Sequence, residues 1–137
     1  MALQGVTIEG EEELIRKLVK LGDAVKGTQP ERLFLRAAKV IRNKARENAP
    51  EGPTGNLKRG IVARTLDRRG RKVAPAMAGI NFKRAPHANW LEFGTVKMGP
   101  RPFFRPAVIE TQKRVNSIIT KGFKRIIEKQ AKLGRVV

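Results

Sequence analysis

The chain has 137 residues, 40% of them apolar, and carries 30 Lys and Arg against 12 Asp and Glu, a net charge of +18. This length suits one domain, residues 1–137, with a modest core, and the lack of cysteine excludes disulfides and thiolate metal sites. A field of that sign attracts a polyanion, either nucleic acid or an acidic protein surface.

Residues 1–10 show no basic start and no apolar run, so no signal peptide is expected. No stretch approaches a membrane span, and the chain reads as a soluble protein made in a cytoplasm. Val6-Thr7-Ile8 alternates as a short opening strand would. Leu14, Ile15, Leu18, Leu21 and Val25 then form a helical stripe, and Glu11, Glu12 and Glu13 before it complement the helix dipole. A second helix is predicted over residues 30–48, with Leu33, Phe34, Ala37, Ala38, Ile41 and Ala45 on one face. Ala49-Pro50-Glu51-Gly52-Pro53-Thr54-Gly55 breaks it.

From Asn56 the pattern turns strand-like. Residues 61–66 and 72–80 read as an antiparallel hairpin with a charged tip, the second strand interrupted by Pro75. Residues 106–133 form a long amphipathic helix with Val108, Val115, Ile119, Phe123 and Ile126 on its stripe, and residues 134–137 are a frayed end. The predicted fold is α+β: a small antiparallel sheet with two N-terminal helices and a long C-terminal helix packed on it.

Residues 87–109 concentrate the unusual side chains: the only Trp, the only His, three of six Phe and three of eight Pro. Residues 89–93 read as a short turn, stopped by Gly94-Thr95. Pro100, Pro102 and Pro106 stiffen the loop beyond it. Large aromatics on a stiff loop need a surface, each worth roughly 1.5–3 kcal/mol when fully buried, so the segment is expected to lock the last helix onto the fold. Glu92, between Leu91 and Phe93, is either held by a basic partner, Arg101 or Arg105, or is a solvated surface carboxylate.

Catalytic, metal and cofactor sites are not expected. His87 stands alone and decorates a turn. Gly52 to Gly55 lacks the Lys-Ser/Thr of a phosphate loop, and no carboxylate pair suggests acid–base work. Arg64, Arg68, Arg69, Arg71 and Lys72 cluster at the hairpin tip, suited to non-specific phosphate contact or simple solvation. One Trp and no Tyr give no stacking ladder for single strands.

Two motifs, taken together, resemble a known family. Ala49-Pro50, Thr54-Gly55-Asn56-Leu57 and Ile61 form the first. Trp90-Leu91-Glu92-Phe93-Gly94-Thr95, followed by Arg101-Pro102-Phe103-Phe104-Arg105-Pro106-Ala107, forms the second. They look like signatures of the head–tail joining (neck or tail-completion) proteins of long-tailed phages and prophages. The likeness spans roughly residues 14–119. His87-Ala88-Asn89-Trp90 departs from the tyrosine-alanine approach more usual there.

The resemblance implies a non-enzymatic virion protein, assembled in the bacterial host cytoplasm into a ring of six or twelve copies at the head–tail junction. Implied partners are copies of itself, adjacent neck, tail-terminator or head-closure proteins, and packaged double-stranded DNA in or near the lumen, with no membrane. Trp90, Glu92, Phe93, Arg101, Phe103, Phe104 and Arg105 are then expected at the assembly interface. Arg64, Arg68, Arg69, Arg71 and Lys72 would face DNA or an acidic partner. The competing reading is a basic, non-specific double-stranded DNA-binding protein.

Overall fold

Helix α1, Thr28–Asn48, begins with Pro30 in its first turn, where a missing N–H costs nothing, and with Glu31 near the positive end of the dipole. The computed structural model describes residues 28–66, 69–70 and 74–132; the strand at 6–8, the first predicted helix and the tail at 134–137 lie outside them. Leu33, Ala37, Ala38 and Ala45 of α1 are buried. The three alanines let other elements approach closely.

After the breaker, the chain does not enter a strand at Asn56 as the sequence pattern suggests. It first makes a five-residue helix, α2, Asn56–Gly60. Gly55 precedes it with φ 64°, a left-handed conformation natural to glycine, which accounts for the glycine of the first motif. Too short to show a period, α2 nonetheless buries Leu57.

Strands β1 (Ile61–Thr65) and β2 (Ala76–Ile80) pair antiparallel, from Ile61 opposite Ile80 to Thr65 opposite Ala76. Pro75 stands just before β2, not inside it, and its carbonyl accepts the Leu66 N–H at 2.7 Å. Helix α1 covers both strands. Its Arg46 donates from Nε and Nη2 to the Ile61 carbonyl, at 3.1 and 2.7 Å. Burial, then the neighbouring Arg42, holds this guanidinium below its ordinary pKa.

Helix α3, Ala88–Phe93, replaces the predicted turn at 89–93, and α4 runs from Phe104 to Lys132. At 29 residues α4 is about 44 Å long. It packs chiefly on α1 and runs antiparallel to it. The Phe34 and Phe123 rings meet edge to face at 5.7 Å near one end, and Lys44 reaches Glu110 at 3.2 Å near the other. The described architecture is α+β, a two-stranded antiparallel sheet with helices before it and a long helix closing the chain. One core cluster joins Ala45, Ala49, Leu57, Ile61, Ala85, Ala88, Phe103 and Ala107. Phe103 fills the space that so many alanines leave.

Candidate functional site

The site is the joint between α3 and α4. Helix α3 ends when Gly94, at φ 77° and ψ 176°, returns its N–H to the Trp90 carbonyl at 2.8 Å. A side chain there would strain the backbone, and its Cβ would lie 2.9 Å from both the Met98 carbonyl oxygen and the Pro100 nitrogen. Thr95 then organises a tight turn: its Oγ1 accepts from Lys97 and Met98 N–H at 3.3 and 3.1 Å. Arg101 brings the chain back by donating its N–H to the Leu91 carbonyl at 2.7 Å.

That return places the start of α4 directly over Glu92. Its Oε2 accepts the N–H groups of Phe103 and Phe104 at 2.9 and 3.0 Å, and its Oε1 accepts that of Arg105 at 2.9 Å. A helix start leaves four N–H positions without intrahelical partners. Counted from Phe103, which caps α4, these are Phe103, Phe104, Arg105 and Pro106; the last has no N–H, so one carboxylate satisfies every donor present. The carboxylate also sits at the positive end of the α4 dipole.

Glu92 is 7% exposed. Burial alone would raise its pKa, but the three N–H donors and then the Arg105 charge outweigh burial and hold it below the ordinary glutamate value. The sequence offered Glu92 two states, paired with Arg101 or Arg105, or solvated. The structure corrects both, because main-chain amides are its hydrogen-bond partners and Arg105 adds only its field. Arg105 instead lays its guanidinium over the Phe93 ring, 4.8 Å from the centroid.

The interface residues expected from the motif therefore divide in two. Glu92 and Phe103 are interior, and Phe104 packs against the core from its edge. Trp90 and Phe93, three apart on α3, are each 59% exposed, and Arg101 and Arg105 are exposed beside them. Among the described residues, eight large hydrophobics are exposed, and six of these, Trp90, Phe93, Val96, Met98, Val108 and Ile109, lie on this joint. Sequence reasoning missed Val96, Met98 and Ile109. Their concentration in one loop and one helix start was a visible signal, but not their outward facing.

Of the basic tip, Arg64 lies exposed on β1 and Arg69 is an exposed turn residue at φ 40°; Arg68, Arg71 and Lys72 fall outside the described residues. A second basic surface runs along α4, where Lys113, Arg114, Lys121, Lys124, Arg125, Lys129 and Lys132 are all exposed. Among the described residues no group of His, Asp or Glu is arranged to hold a metal, and no helix is long and apolar enough to cross a membrane.

The site thus presents an exposed apolar joint fixed by a buried carboxylate, with a basic periphery. Residues 12–94 match the family described as "Bacteriophage HK97-gp10, putative tail-component". The chain belongs to that family, and its role is that of a structural component of a bacteriophage tail. No curated protein and no solved structure matches it.

Proposed function

We propose that the protein is a virion component that assembles with copies of itself into a ring at the head–tail junction and is required for joining or for tail completion. The observation that carries this reading is the apolar surface at the α3–α4 joint, held rigid by Glu92. Contiguous exposed apolar surface on a small protein marks an interaction site. Trp90, Phe93, Arg101 and Arg105 make the contacts, while Glu92, Phe103 and Phe104 fix the surface from behind. Neighbouring neck, tail-terminator or head-closure proteins are the further partners. The reading assigns no catalysis to the protein.

The basic residues give the ring a positive collar, since +18 is multiplied by the number of copies. The hairpin residues Arg64, Arg68, Arg69, Arg71 and Lys72 face packaged double-stranded DNA or an acidic neighbouring ring. Electron microscopy of particles made after deletion of the gene tests this function. Filled heads and separate tails are expected. Whole, infectious particles would contradict it and favour a free, non-specific DNA-binding protein, whose affinity would fall steeply with salt.

A further inference from the structure

Beside the Glu92 cap lies a groove walled by Phe93, Pro100, Pro102, Pro106 and Ile109, with Arg105 at its edge. Arg105 has no carboxylate partner among the described residues, and neither does exposed Arg101, because the oxygens of Glu92 are occupied by main-chain amides. An apolar trough edged by an exposed guanidinium that no carboxylate pairs suits a peptide in which carboxylates stand next to aliphatic side chains.

The chain itself contains such a peptide. Residues 9–13 read EGEEE and are followed by Leu14 and Ile15, so four of the twelve acidic residues fall within five positions. Of the described acids near the basic surfaces, Glu47 and Glu110 pair with Lys44, Glu51 pairs with Lys58, Glu31 accepts the Ala74 N–H, and Glu128 is a single exposed carboxylate on α4. We propose that the groove of one copy takes the acidic segment 9–13 of a second copy.

This rests on the ring reading and names the partner of its apolar surface. Two chains of +18 repel at long range, so local opposite charge at the contact sets which faces can meet. Groove and segment are different surfaces of the same chain, which makes the contact head-to-tail, the kind that closes into a ring when its rotation allows.

The natural chain has no cysteine, which permits a clean test. Full-length Glu12→Cys and Ile109→Cys variants are mixed and gently oxidised. The mixed disulfide dimer is expected to exceed either single-variant dimer several-fold. It should drop to their level at about 1 M salt, where the Debye length is about 3 Å, and when Arg105→Glu is added to the Ile109→Cys copy. A mixed dimer no more abundant than the others would overturn the inference. So would a doubly substituted chain that closes on itself as a monomer. If deletion still leaves heads and tails unjoined while this cross-link is absent, the docking segment is wrong and the joining function stands. Whole particles after deletion would instead remove the function on which the segment depends.

Discussion

Glu92 Oε2 and the Phe103 amide nitrogen, 2.9 Å apart, link a buried charge on α3 to the largest fully buried side chain among the described residues. The hydrogen bond and the packing depend on each other. Phe103 is held in the core only while the start of α4 stays over α3, and the carboxylate stays dry only while Phe103 fills that core. An outward-facing apolar joint is rigid because of this inward pair.

Replacing Glu92 with Ala leaves three amide donors at the buried joint unpaired. A loss of about 2–4 kcal/mol is expected, measured by thermal or denaturant unfolding. Glu92→Gln should recover part of this loss, since its oxygen can keep the Phe103 and Phe104 bonds while its NH2 group faces the Arg105 N–H and the charge is gone.

The same carboxylate makes stability depend on pH. Its folded pKa is depressed, so its contribution is complete above the ordinary glutamate value of about 4.3 and is lost as pH falls through the folded value. The melting temperature of the natural chain should decline in that acid range. The decline should be shallower for Glu92→Gln, which has no proton to take up there. Parallel profiles for the two proteins would show that Glu92 is not the titrating group.

Phe103→Ala empties the centre of an alanine-rich core and should cost about 3–5 kcal/mol, enough to lower the melting temperature by roughly 10 °C or more. Phe104 is only partly buried, so Phe104→Ala should cost less. Equal effects from the two would contradict the assignment of Phe103 as the anchor.

Charge reversal at Arg68, Arg69 and Arg71 together should impair joining or DNA retention while leaving the melting temperature nearly unchanged, as expected for substitutions of charged turn residues such as exposed Arg69. Retention assays on the resulting particles read the effect. Unchanged joining and retention would remove the hairpin from the account.

The long helices were legible because α1 and α4 repeat their apolar side chains over several turns, and the β1–β2 hairpin because its strands flank a charged turn. Helix α2 was not, since five residues cannot display a period. Glu92 was singled out correctly as a carboxylate between apolar neighbours, but its partners were misread. A sequence displays cations as letters and never displays free amide groups, so Arg101 and Arg105 were the visible candidates. Pro106 held the missing clue: a helix whose fourth donor position is proline needs partners for only three N–H groups. Which aromatics face inward was likewise hidden. Phe93 closes α3 and Phe103 precedes α4, and the reversal that begins at Gly94 leaves one facing out and the other in.

In the proposed arrangement the outward half of the joint makes assembly contacts while the inward half makes the fold. Electron microscopy of particles from a gene deletion complemented with the Trp90→Ser, Phe93→Ser double variant tests it most directly. Both side chains are more than half exposed, so the purified variant should melt within a few degrees of the natural protein. Heads and tails should be left unjoined despite that intact fold. Whole particles at normal yield would contradict it.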